Sequence, residues 1–396
     1  MPVTENETTE AVMLLPENSW LRTYVIHGLK QTTAPLVYHL GTGLAVLGTT
    51  CPVAYGTHYA GTLRANNFAL LVGRSGEDNK STALNLGTRL LKAAAFELCG
   101  DFPGSPEGLV ESLADQESQF ISVSEFGKLL SSAQRGYFEP IKTLLADVWD
   151  SEPIQRAKAA QRGQRVVIRA ENPRLSIGAA CSIPYLEKHT LAEDWTGGFM
   201  GRWMVFYGRR ERTEPNPVGD DTYVEYLTEE LRRRATTETA GWCTGLDPAA
   251  SRMWDEWYTD VSSRILPNNI IGIRARAPTI CRKIALVLGW DYGPALAGEP
   301  WQVGLDLLIP SIAITELHIK SLVHLSAMIA EHGDARLRRS VIEAVESQGG
   351  ICTLGQILGV MKMRKRIIQE MLDSLIEEGR IKRIQTTIGS AFELQE

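Results

Sequence analysis

One stretch constrains the fold more than any other: the apolar run Phe68-Ala69-Leu70-Leu71-Val72, then Gly73-Arg74-Ser75-Gly76-Glu77-Asp78-Asn79-Lys80-Ser81-Thr82. It reads as a buried strand, a glycine-bearing turn and a helix over residues 83–91. Strand, small-residue turn and a helix opening on Lys-Ser-Thr are the layout of a phosphate-binding loop. Small residues let backbone N–H groups face an anion, and the helix start adds partial positive charge. In this reading Gly73, Ser75, Gly76, Asn79, Lys80, Ser81 and Thr82 cradle a nucleotide's phosphates. Lys80 reaches the terminal phosphates and Ser81 ligates Mg²⁺. The standard spacing, G-x-x-x-x-G-K-[ST], has glycine just before the lysine. Here Asn79 stands there, a residue that tolerates left-handed backbone, and Gly73 lies one position further upstream. Glu77 and Asp78 bring negative charge to an anion site, which counts against the reading. An ordinary strand–turn–helix is the alternative.

Such a loop needs an acid at the end of a neighbouring strand, where water meets the γ-phosphate. Phe120-Ile121-Ser122-Val123-Ser124-Glu125-Phe126 supplies one. Glu125 would orient the water and help hold Mg²⁺, while Ser124 stands where an aspartate often assists. Glu125 is equally at home as an acid at a helix start. Ser182, after the strand-like run 175–180, is either a γ-phosphate sensor or a helix N-cap. Arg202, set between Gly197-Gly198-Phe199-Met200-Gly201 and an apolar strand, is either an arginine finger reaching a neighbouring subunit or a salt bridge closing the sheet.

Strands alternate with helices from 61 to 210, which predicts an α/β core with a mostly parallel sheet covered on both faces. Residues 1–17 read as a disordered tail, 18–60 as a helical lead-in and 61–210 as the loop-bearing core. A charged, proline-containing linker precedes a helical domain at 218–332, which reads as a lid. Residues 335–396, with three helices and a two-stranded closing hairpin, read as a winged helix. Among 396 residues, 44% are hydrophobic, enough for a sizeable core, and the formal net charge is −6. That balance argues against wholesale coating of nucleic acid and leaves room for local basic patches. The six scattered cysteines contain no C-x-x-C pair, so reduced thiols are expected. No signal peptide and no membrane-spanning apolar stretch is evident, and a cytoplasmic location is the expectation.

Basic residues gather in two places. Arg156, Lys158, Arg162 and Arg165 fall between core strands, as a solvated loop or a track for a nucleic-acid backbone. Lys362, Arg364, Lys365 and Arg366 open the second helix of the winged-helix segment, with Lys382 and Arg383 in its wing. This polarity suits DNA, although winged helices also bind proteins. Trp254 and Trp257, three apart on a helix, read as core.

The order of these motifs resembles phage, plasmid and bacterial P-loop ATPases related to replicative helicases and often associated with primase modules. The resemblance covers residues 18–332. It rests on Trp20-Leu21, Pro35-Leu36-Val37-Tyr38-His39-Leu40, the lengthened phosphate loop and Val123-Ser124-Glu125-Phe126-Gly127-Lys128. Asn172-Pro173-Arg174, Gly197-Gly198-Phe199-Met200-Gly201-Arg202-Trp203 and Arg276-Ala277-Pro278-Thr279 complete it. It implies a RecA- or AAA+-type P-loop NTPase core, ATP with Mg²⁺, a homo-oligomer such as a hexameric ring, and work on DNA. Replication or mobile-element proteins would be further partners. The expected function is an ATP-dependent helicase or translocase. The alternative is a weakly hydrolysing switch, loader or DNA-binding regulator, which Asn79 and Ser124 favour.

Overall fold

A computed structural model describes residues 2–57, 61–133, 138, 140–158, 166–212, 217, 219, 221–237, 241–266, 270–361, 363–386 and 389–395. The apolar run predicted as a buried strand is one: β1 (Phe68–Gly73) is buried at every residue. It lies inside a parallel sheet with β2 (Cys99–Gly100), β3 (Ser118–Val123), β4 (Arg174–Ser182) and β5 (Trp203–Tyr207), in the order β2-β3-β4-β1-β5. The expected α/β core with a parallel sheet is therefore present. Helices cover both faces. Leu71 and Phe206 are register partners, and both crowd Gly41, where a Cβ would lie 2.5 Å from the Phe206 ring. Gly41 belongs to the helix Leu36–Thr50, buried along its whole length. Phe68 and Trp203, of opposite parity on the same strands, pack as tilted rings 5.0 Å apart, and Trp203 meets Phe126 of the helix Phe126–Ala133 at 4.5 Å.

The outer edge of β5 is closed by side chains. The Val205 N–H donates to His318 Nδ1 at 2.8 Å, and the Tyr207 N–H to Ser321 Oγ at 3.0 Å. Both acceptors lie on the helix Leu305–Ser347. Its portion Leu305–Ile329 is long and apolar enough to cross a membrane by length and composition, but Glu316 and Lys320 interrupt it and half of its most apolar window is buried. The polar residues Ser311, Thr315, His318 and Ser321 within it are fully buried.

Three expectations need correction. Residues 1–17 are not a disordered tail: Glu5–Met13 is a helix with a reciprocal cap between Thr4 and Glu7, and Val3 N–H donates to Tyr207 O. The segments 18–60, 61–210 and 218–332 are not separate domains, because the chain divides once, into Met1–Leu325 and Ser326–Glu396. The stretch 218–332 is largely helical, as expected, and also carries two short strands. Cys243–Leu246 and Trp301–Val303 join Ala54–Thr57 and Gly61–Arg64 in a four-stranded sheet. Finally, backbone helix continues through 332–335, where a domain break was expected. Trp254 and Trp257 are core, as read.

The Ser326–Glu396 unit has its own core of Val341, Val345, Ile357, Ile368, Leu372 and Phe392. Its helices Leu354–Met361 and Lys365–Glu377 accompany an antiparallel sheet of Ile351–Thr353, Gly389–Leu394 and Ile381–Thr386. The strand Ile351–Thr353 was not foreseen.

Two buried histidines set an acid limit. Burial pushes His318 down to about 4 and His39 down to about 3, below the ordinary 6.5. Both fold as neutral rings, so folding releases their protons. Their contribution is complete above pH 6.5 and is lost as pH falls from 6.5 toward 4. For His318 the loss approaches roughly 3 kcal/mol by pH 4. Thermal unfolding between pH 7.5 and 4.5 should show a falling midpoint below 6.5. His318→Asn, which keeps an acceptor for Val205, should show a smaller fall; an equal fall in both proteins would reject this assignment.

Candidate functional site

The turn between β1 and the helix Lys80–Ala94 is held from inside the fold. A Cβ at Gly73 would lie 2.2 Å from the Tyr38 hydroxyl and 2.9 Å from an Asp78 carboxylate oxygen. The Tyr38 hydroxyl donates to the Val72 carbonyl at 2.6 Å and lies 2.7 Å from the Gly208 carbonyl, tying the ends of β1 and β5. Asp78 is fully buried and accepts the N–H groups of Arg74 (2.7 Å) and Arg210 (3.1 Å) and Arg74 Nη2 (2.8 Å). Burial alone would raise its pKa, but these donors hold it below the usual carboxylate range. Of the two acids that counted against an anion site, Asp78 is neutralised within the turn, Glu77 forms an exposed ion pair with Arg74, and neither lines the cavity above. Sequence reading missed the role of Asp78, and it quoted Tyr38 within a motif without assigning it one. A carboxylate four residues after an arginine was the available signal.

Asn79 does adopt left-handed backbone, φ 50° and ψ 32°, and its amide donates to Thr33 Oγ1 at 2.8 Å. No side chain caps the helix that begins at Lys80, so its first N–H groups are not taken by an N-cap side chain. Gly76, with φ 73°, also needs its conformational freedom. Lys80 folds back so that Nζ donates to the Arg74 carbonyl at 2.6 Å, and burial pushes its pKa down.

Above this turn lies a cavity of about 240 Å³ at the carboxyl ends of β1, β3 and β4. Ser75, Gly76, Lys80 and Ser81 form one wall; Ser124, Glu125 and Ser182 form another. Five residues proposed from separate stretches of sequence, Lys80, Ser81, Ser124, Glu125 and Ser182, therefore meet. Gly73, Asn79 and Thr82 do not line the cavity; the first two shape the turn. Ser182 precedes the helix Ile183–His189 without a side-chain cap bond. Glu125 forms an exposed ion pair with Lys128. Unforeseen lining residues are Cys181, whose thiol burial pushes up to about 12, and Tyr185, which is over half exposed. Gly127 leaves room for Tyr185, since a Cβ there would lie 2.7 Å from its ring. Ser81, Ser124 and Glu125 put two hydroxyls and one carboxylate on the cavity wall, and no cluster of three or more His, Cys, Asp or Glu side chains occurs among the described residues.

Arg202 is not in this cavity. Its guanidinium pairs with Asp150, donates to the Gly198 carbonyl at 2.9 Å and is 12% exposed. Arg276 binds the other Asp150 oxygen at 3.2 Å, and both arginines sit over Trp149. The salt bridge expected as one alternative is present: the guanidinium is paired within its own chain.

The basic residues fare unevenly. Arg156 is half-buried on the strand Ile154–Lys158, opposite Ile168 in an antiparallel hairpin that Lys158 ends. Arg162, Arg165 and Lys362 lie outside the described residues. Arg364, Lys365 and Arg366 are exposed where the helix Lys365–Glu377 begins, and Arg366 pairs with Glu370 at 3.4 Å. Lys382 and Arg383 are exposed on the strand Ile381–Thr386, where Arg383 pairs with Asp373 at 3.1 Å.

No protein-family model matches this chain, and no curated protein matches it.

Gly73 and Tyr38 give the clearest test of this packing. Gly73→Ala should destabilise by about 1–3 kcal/mol through overpacking. Removing the opposing oxygen in Tyr38→Phe should make the same glycine substitution less costly. Chemical denaturation of both single variants and the double variant measures this coupling; strict additivity would show that the contact is not a constraint.

Proposed function

We propose that this chain is a P-loop nucleoside triphosphatase that uses ATP and Mg²⁺, with a C-terminal winged helix that contacts DNA. One observation carries the reading: Lys80, Ser81, Glu125 and Ser182 converge on one cavity at the carboxyl ends of parallel strands. That cavity lies where the strand order reverses, with β1 flanked by β4 on one side and β5 on the other. Open parallel sheets bind ligands at such a point. Main-chain N–H groups of the turn and helix start receive the phosphates. Lys80 leaves the Arg74 carbonyl to neutralise their charge. Glu125 accepts a hydrogen bond from the attacking water and aims it, and Ser182 donates to the terminal phosphate. Mg²⁺, held with help from Ser81, supplies charge neutralisation when bound.

A second reading, a slowly hydrolysing switch, has its own support. Glu125 is paired with Lys128, and Lys80 is tied to Arg74. Nucleotide would have to compete for both groups. Ring assembly follows from the resemblance alone, and Arg202 lends it no support.

Two substitutions separate these readings. Lys80→Ala should abolish or greatly weaken ATP binding while leaving the unfolding midpoint close to wild type. Glu125→Gln should bind ATP normally and turn over about 10²–10⁴-fold more slowly. Calorimetric binding of ATP and phosphate release provide the readouts. Tight binding by Lys80→Ala sinks the nucleotide assignment; tight binding with no turnover in wild type leaves the switch.

The winged-helix reading rests on three helical segments and a strand pair that display Arg364, Lys365, Arg366 and Lys382 on one small unit. Phosphate contacts give a salt slope of about −0.9 per phosphate neutralised on B-DNA. Replacing Arg364, Lys365 and Arg366 with Ala should make the slope of duplex binding shallower by up to about three such contacts. An unchanged slope would make the unit a protein-binding module.

A further inference from the structure

A second, larger cavity of about 540 Å³ adjoins the phosphate cavity and shares Ser124, Glu125 and Lys128 with it. The exposed Glu125–Lys128 ion pair thus belongs to the wall common to both. The far wall is apolar: Phe102 and Pro103 from the loop after β2, Leu129, and Phe138, whose ring lies 6.2 Å from that of Phe102. Ser122 and Ser132 add hydroxyls. An aromatic floor, hydroxyls and one exposed ammonium group suit a flat aromatic group carrying an anion, and the volume is that of a small-ligand site.

The occupant is not the base of the hydrolysed nucleotide. In the proposed function Lys80 and Glu125 both attend the terminal phosphate. A cavity beyond Glu125 therefore lies past that end, away from the sugar and base. The hairpin bearing Arg156 packs on the helix Pro106–Asp115, which follows the Phe102 loop directly. A basic strand thus neighbours the element that begins at the cavity's apolar wall.

We propose that this second cavity takes one nucleotide unit of single-stranded DNA, its base against Phe102 and Phe138 and its phosphate on Lys128. Aromatic platforms beside a cation are how single strands are held without sequence preference. The proposal rests on the hydrolase reading for one consequence only. A strand phosphate that draws Lys128 away frees the Glu125 carboxylate for its water, linking strand binding to hydrolysis at one lysine.

The test is fluorescence anisotropy of a labelled oligothymidylate of about 15 nucleotides. It uses the full chain with Arg364, Lys365 and Arg366 replaced by Ala, which removes the basic cluster at the start of the helix Lys365–Glu377. Phe102→Ala and Lys128→Ala should each weaken binding roughly tenfold, and Phe102→Trp should restore it. ATP binding to Phe102→Ala, measured separately, should match the parent. Unlabelled dTMP at equal nucleotide concentration should compete poorly. The proposal is overturned if the parent does not bind the strand, if Phe102→Ala binds it as tightly, or if dTMP competes as well as the oligonucleotide. Failure of the parent to bind the strand while it still binds ATP counts against this cavity alone. Absence of ATP binding in the parent counts against the nucleotide site and leaves the strand measurement readable.

Discussion

The geometry of the candidate site depends on the Tyr38 hydroxyl. It is buried, it reaches the carbonyl oxygens of Val72 and Gly208, and only a glycine at 73 lets it do so. This single group sets where β1 stops relative to β5. Asp78 then ties the turn to the same place through Arg74 and the N–H of Arg210. With both ends of the turn anchored, the helix start at Lys80 faces the ends of β3 and β4, where Glu125 and Ser182 wait. Tyr38 itself comes from the helix Leu36–Thr50 beneath the sheet. An element that reads as a lead-in is thus part of the site's foundation.

The part of the expected lid, 218–332, that precedes Ser326 is joined to the sheet by buried charge. Lys283 Nζ donates to the carbonyls of Arg64 and Asn66 and to Asn66 Oδ1, at 2.9–3.1 Å, and lies over Trp149. Burial pushes its pKa down to about 7, yet three acceptors and an aromatic face suit a cation. Asp291 acts as a cap from another helix, accepting the N–H groups of Trp20 and Leu21 and the Ser19 hydroxyl. Arg234 donates to the Asp291 carbonyl at 2.7 Å. Leaving such buried groups unpaired costs several kcal/mol, so this stretch is held as part of the core rather than hinged upon it.

What could be read from sequence follows the range of the forces involved. β1, the turn and Asn79's left-handed backbone were legible because local sterics and a continuous apolar run determine them. The Thr4-x-x-Glu7 box was also legible, being a local hydrogen-bond pattern, but the acidic, polar composition of the first residues masked it. The strands Cys243–Leu246 and Trp301–Val303 are too short to show alternation and exist through pairing with segments remote in sequence. Asp78 misled because charge was counted without its partner. Arg202 stayed ambiguous because its partner, Asp150, is 52 residues away and nothing local announces it.

The edge of β5 has a temporal consequence. Its outward N–H groups are satisfied by residues 113 and 114 positions later in the chain. At a synthesis rate of ~5–20 residues per second, the ribosome needs roughly 6–23 seconds to make that interval. During that time the outward N–H groups of Val205 and Tyr207 lack these partners and are able to pair with another nascent chain. Completion of the sheet therefore waits on translation rather than on diffusion, and a chain stalled before His318 would carry an open, apolar edge.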